Sequence, residues 1–152
     1  RKEPVQAEEK PVNLLSTDFA VEYPLDILIA EDNPVNQMLI QRILDKLGYK
    51  AVMAQNGLEA VQKISEKLYN VVLMDIQMPE MDGFEATKHI RLLDIDQPYI
   101  IAMTANALAE DRDICLGQGM DNYISKPMKL DTLVAVLKEA WLKKGITKAV
   151  KS

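Results

Sequence analysis

From Leu25 onward, short uninterrupted apolar runs alternate with stretches in which apolar residues recur every three or four positions. Ile27-Leu28-Ile29-Ala30 is too short for a helix and is followed by the turn-like Glu31-Asp32-Asn33-Pro34. Pro34 suits the first turn of a helix, with Asn33 as its cap. Val35, Met38, Leu39, Ile43 and Leu47 then keep helical spacing as far as Gly48, where the stripe stops. Residues 51–54 read as a second strand, and Asn56-Gly57 opens a helix with Leu58, Val61, Ile64 and Leu68 along one face. Val71-Val72-Leu73-Met74 is a third strand, apolar throughout, as expected where both faces of a sheet are covered. A helix over 84–93, a strand over 99–103, a helix over 108–116, a strand over 122–124 and a helix over 130–142 complete the pattern.

Five strands, each followed by a helix, predict a (βα)5 unit. Uniformly apolar strands and right-handed crossovers make the sheet parallel and doubly wound, with helices on both faces. Ligands in such sheets bind at the carboxyl ends of the strands. The polar residues just past each apolar run are therefore the candidates: Glu31 and Asp32 after the first strand, Asp75 after the third, Thr104 after the fourth, and Lys126 just beyond the fifth. Taken singly, each reads equally well as a helix cap, a turn residue or a surface charge. Together they put three carboxylates, a hydroxyl and an ammonium on one edge. Clustered acids repel unless a cation neutralises them, and Mg²⁺ is the natural choice because it accepts one or two carboxylates and keeps sites for water and phosphoryl oxygen. Lysine and threonine beside it suit the other oxygens of a transferring phosphoryl group, and a carboxylate in line with that group suits a nucleophile.

Composition narrows the function classes. The chain has 152 residues, 48% hydrophobic and 27% charged, enough for one domain with a real core. Net charge is −5, so nucleic acid is not expected as the main partner. A single cysteine, Cys115, excludes an intrachain disulfide and suits a cytoplasmic setting. No uncharged run approaches the ~20 residues a bilayer needs, and no apolar segment at the start suggests a signal peptide. Since Arg1 stands where an initiator Met would, a piece of a longer protein is expected. Residues 1–24 read as a charged linker or N-terminal extension, 25–142 as the domain, and 143–152, with four lysines and no acid, as a disordered basic tail. His89, the one histidine, is expected on a solvated helix face. Cys115 and the methionines Met74, Met78, Met81 and Met103 are expected in core or loop packing, and Trp141 as an anchor of the last helix.

Four blocks carry a resemblance: Ile29-Ala30-Glu31-Asp32-Asn33; Met74-Asp75-Ile76-Gln77-Met78-Pro79-Glu80-Met81-Asp82-Gly83; Met103-Thr104-Ala105; and Ser125-Lys126-Pro127. In order and spacing they resemble the response-regulator receiver domain of two-component signalling, over about residues 25–142. The resemblance implies a flavodoxin-like fold with strand order 2-1-3-4-5. It implies that Asp75 accepts a phosphoryl group from a phosphohistidine. Mg²⁺ would be arranged by Asp32, Asp75, the backbone carbonyl of Gln77, and Glu31 acting directly or through water. Lys126 would pair with a phosphoryl oxygen, while Thr104 and Tyr123 would act as the switch pair. Pro127 matches the proline that follows the lysine. Gln77 and Asn106 would flank the attacking water and set the lifetime of the acyl phosphate.

Residues 114–123 resemble receivers at the C-terminus of hybrid sensor histidine kinases. The expected partner is then a histidine kinase or histidine phosphotransfer domain docking on the helix after the first strand, around Val35, Met38 and Leu39, with no membrane contact by this segment itself. A single-domain response regulator with an N-terminal extension is the alternative. Such a receiver catalyses its own phosphorylation and dephosphorylation, while a hybrid parent would be a histidine kinase. A haloacid-dehalogenase-type phosphatase needs a second Asp two residues after the nucleophile, and that position is Gln77, an amide that cannot donate the proton. A P-loop is excluded because G-x-x-x-x-G-K-[ST] is absent.

Overall fold

The computed structural model describes residues 18–105, 109–126 and 128–144. A short helix, α1 (Asp18–Glu22), leads into five alternations: β1 (Ile27–Ala30), α2 (Pro34–Leu47), β2 (Val52–Ala54), α3 (Gly57–Glu66), β3 (Val71–Asp75), α4 (Gly83–Arg91), β4 (Tyr99–Thr104), α5 (Ala109–Gly117), β5 (Asn122–Ser125) and α6 (Leu130–Lys144). All strands are parallel in the order β2-β1-β3-β4-β5. Alternate residues of each strand feed opposite layers. Ile27, Ile29, Leu73 and Ile101 meet α1, α2 and α6 on one face, where Leu44, Leu47 and Leu137 are buried. Leu28, Met74 and Ile100 meet α3, α4 and α5 on the other, with Ala60, Ile64, Ala86, Ile90 and Cys115. The central strands β1, β3 and β4 are buried throughout, the physical reason their sequences are continuous apolar runs.

The helix ends follow local chemistry. The Asn33 side chain accepts from the Val35 and Asn36 amides and Pro34 opens α2, while Gly48 closes it at φ 96°, a left-handed conformation that glycine adopts freely. Asn56 and Asp82 cap α3 and α4 through the Glu59 and Glu85 amides.

The structure refines three expectations. Packing begins before Leu25: Phe19 on α1 lies in the core cluster, Tyr23 packs edge-on against Trp141 at 5.1 Å, and the Tyr49 hydroxyl donates to the Tyr23 carbonyl at 2.6 Å. Aromatic residues, not a helical period, bind this segment, so periodicity could not reveal it. On α2 the buried face adds Ile40 and Leu44 to Leu47, whereas Val35, Met38 and Leu39, where a partner is expected to dock, are exposed. On α3, Leu58 is exposed, and Leu68 is exposed beyond the end of the helix; the small residues Gly57 and Ala60 fill the close approach to α4 instead. His89 is exposed and Trp141 buried, as their positions suggested.

Candidate functional site

The sheet register brings the acids together. Ala30 lies beside Met74, and Asp75 beside Met103, so Glu31, the first residue after β1, emerges next to Asp75 at the end of β3. Thr104 pairs with Ser125, and the Lys126 amide donates to the Thr104 carbonyl at 2.8 Å. Glu31, Asp32, Asp75, Thr104 and Lys126 thus line one cleft of about 220 Å³. A wider groove of about 560 Å³ lies on the outer side of α4 around Phe84, Lys88 and His89, away from the strand ends where these groups converge.

Within the cleft one oxygen from each of Glu31, Asp32 and Asp75 lies within 4.8 Å of the others. Glu31 is fully buried and Asp75 nearly so, while Asp32 is exposed. The Lys126 Nζ sits 3.0 Å from Asp75 Oδ2 and 3.3 Å from Glu31 Oε1. A single ammonium therefore faces two buried carboxylates. Burial pushes the Asp75 carboxyl up to about 6; Lys126 opposes the shift and the Glu31 charge adds to it. For Lys126, burial works against the charged form, but the hydrogen bond to Asp75 and the two carboxylate charges outweigh it and raise its pKa. Glu31 Oε1 is ion-paired with Lys126 but makes no hydrogen bond among the described residues. An under-compensated set of hard oxygen donors is the arrangement that a small divalent cation satisfies.

The loop after β3 is tightly held. The Gln77 amide donates to Asp75 Oδ1 at 3.3 Å. Glu80 stands at φ 67° in a three-residue turn in which the Met81 amide donates to the Pro79 carbonyl at 2.7 Å. Such left-handed non-glycine backbone is costly and persists where its surroundings enforce it. Here they do: the Gly57 amide donates to the Met81 carbonyl at 3.0 Å, and the Gly83 amide to the Ile76 carbonyl at 2.8 Å. A Cβ at Gly83 would lie 2.4 Å from the Asp75 carbonyl oxygen, and one at Gly57 would lie 2.3 Å from that of Met81.

Thr104 is buried at the cleft wall. Tyr123 is half-buried on β5 and packs against the α3–α5 layer; it is not among the described residues lining the cleft. Asn106 and Pro127 lie outside the described residues. Strand-end reasoning did not find the groups that hold Glu31. The Asn33 amide and Asn36 Nδ2 approach its Oε2 at 3.1 and 3.4 Å, and Gln37 Nε2 donates to its carbonyl at 2.5 Å. Two side-chain amides in the first turn of a helix that follows an acidic strand end were the available signal.

The description "response regulator receiver domain" matches residues 27–138. Over 127 residues the chain is 48% identical to hybrid signal transduction histidine kinase H of Dictyostelium discoideum, covering 80% of this chain but only 9% of that kinase. Among solved structures it resembles the receiver domain of a sensor histidine kinase from Pseudomonas aeruginosa, which has magnesium in its active-site cleft. That match has 41% identity and a TM-score of 0.71, over 77% of this chain and 97% of the other. It also resembles a Saccharomyces cerevisiae structure in which a histidine phosphotransfer protein is bound to the receiver domain of its downstream response regulator. There the identity is 30% and the TM-score 0.72, over 78% of this chain and 89% of that one.

Proposed function

This chain belongs to the response regulator receiver family and is a phosphorelay receiver domain, and on that premise we propose that Asp75 is its phosphoacceptor. The observation that carries this is the ion pair of Lys126 with a nearly buried Asp75 whose neighbours are two further carboxylates. In the reaction an Asp75 oxygen attacks phosphorus, the P–N bond to the donor imidazole breaks, and the imidazole leaves with the electron pair, giving an acyl phosphate. Mg²⁺, when bound, would neutralise charge on the phosphoryl oxygens. Asp32, Asp75, the Gln77 carbonyl and Glu31 would hold it. Lys126 carries a fixed positive charge that releases Asp75 for attack and pairs with a phosphoryl oxygen. Thr104 stands at the wall to hydrogen-bond the incoming group, and Tyr123 turns inward with it as the switch. Gln77 and Asn106 orient the hydrolytic water.

The resemblance to a sensor-kinase receiver and to a receiver bound by a phosphotransfer protein supports the same partner class here. The three exposed apolar residues Val35, Met38 and Leu39 on α2, beside the cleft, supply the docking face. A hybrid histidine kinase is the parent protein this reading favours. Among the described residues no helix is long and apolar enough to cross a membrane, and a cytoplasmic location suits a sequence with a single cysteine, Cys115, which has no second cysteine to pair with. The test is intact-protein mass after incubation with Mg²⁺ and acetyl phosphate. One phosphoryl group should appear on the parent, vanish with chelator and be missing from Asp75→Asn. No added mass under any condition would overturn the assignment.

A further inference from the structure

Glu31 is the one fully buried acid of the cleft, and a carboxylate there is costly unless its oxygens are held. Its Oε2 faces the Asn33 amide at 3.1 Å and, more loosely, Asn36 Nδ2 at 3.4 Å. This leaves Oε1 ion-paired with Lys126, 3.3 Å away, with no hydrogen bond among the described residues. Gln37 Nε2 donates at 2.5 Å to the Glu31 carbonyl, where the chain leaves β1 for the loop, and so fixes the backbone that carries the carboxylate. Asn36 and Gln37 are half-buried neighbours in the first turn of α2. The same stretch of helix presents Val35, Met38 and Leu39 to solvent.

We propose that Asn36 and Gln37 are positioning residues that form a two-point clamp on Glu31, one side chain on its carboxylate and one on its main chain, and thereby set the geometry of the cation site. Neither touches a reacting atom. Their action is to choose which Glu31 oxygen turns into the cleft and to keep it within reach of a cation or its water, as outer hydrogen bonds do for metal ligands generally. The clamp rests on the metal-dependent reading above. It also places the two residues that hold Glu31 and the exposed docking face on neighbouring positions of α2, 35–39.

The test is a Mg²⁺ titration of the whole chain followed by backbone amide shifts in ¹H–¹⁵N spectra, with thermal denaturation in parallel. Asn36→Ala and Gln37→Ala should each weaken Mg²⁺ by roughly tenfold, while Arg42→Ala, an exposed change on the same helix, leaves it as in the parent. In chelator the two clamp variants should shift the Glu31 and Asp75 amides, with melting temperatures close to that of the parent. Loss of affinity that merely tracks loss of stability would overturn the positioning role. So would variants that bind Mg²⁺ as the parent does; that result leaves the cation site itself intact. A parent chain whose Glu31 and Asp75 amides ignore Mg²⁺ overturns the metal-dependent reading, and the clamp's role with it.

Discussion

Lys126 decides whether Asp75 is usable. Two buried carboxylates share its ammonium, and without it they would repel each other in a poorly solvated cleft. Lys126→Ala should slow labelling by acetyl phosphate by roughly a hundredfold, measured by intact mass over time, with Mg²⁺ still bound. Arg91 plays a purely structural part at the opposite end of the sheet. Its guanidinium donates to the Gly119 carbonyl, to Gln97 and the Pro98 carbonyl, and to Asp121, which also accepts from the Ile100 amide. It thereby ties α4, the start of β4 and the turn before β5. Arg91→Ala leaves several of these acceptors unpaired and should cost about 2–3 kcal/mol, read from urea denaturation. The acid cluster was legible because strand ends in a parallel sheet converge by topology. Arg91 was not, since its partners lie up to 30 residues away and no local pattern announces them.

At the scale of elements, α1 and α2 carry the informative departures from simple periodicity. Phe19 is buried against Tyr49 and Tyr23, and Tyr23 lies against the only tryptophan. Phe19→Ala should therefore lower stability by about 3–5 kcal/mol and shift Trp141 emission to the red, while labelling by acetyl phosphate is kept. An unchanged emission spectrum would mean that α1 does not cover the ring. On α2 the apolar stripe divides between two tasks. Ile40, Leu44 and Leu47 enter the core, while Val35, Met38 and Leu39 stay at the surface beside the cleft. Met38→Glu places a charge in that exposed patch. Transfer from a histidine phosphotransfer domain should fall by at least about tenfold, with labelling by the small donor retained. Equal loss with both donors would remove α2 as the docking face. Hydropathy alone could not separate the two tasks, because an apolar residue reads the same whether it faces a core or a partner.

For the whole molecule, the cleft stores a conflict between stability and function. The folded chain holds the Asp75 proton up to about pH 6, against an ordinary carboxyl value of 3.8, because burial disfavours its charge. Between these values the unfolded chain has released a proton that the folded chain keeps. Raising pH through that window therefore favours unfolding, and the contribution is lost in full above the folded value. In chelator at pH 7, Asp75→Asn should be more stable than the parent by about 1–2 kcal/mol, the difference shrinking toward pH 4. Mg²⁺ should then stabilise the parent in a concentration-dependent way and the variant much less. Denaturation of both proteins at two pH values, with and without the ion, checks the sign.

The alternation of strands and helices, the parallel doubly wound sheet and the edge on which the charges meet can all be read along the chain. Those features follow from local periodicity, from capping residues such as Asn33, and from the handedness of crossovers, all of which act over a few residues at a time. Which apolar residues of α2 are core, the contact of Tyr23, just after α1, with Trp141 on α6, and the hold of Asn36 and Gln37 on Glu31 come only with the folded chain. These depend on distances across the packed chain. Burial then turned an ordinary aspartate into one that gives up its proton reluctantly, an effect that exists only once the strand ends have closed around it.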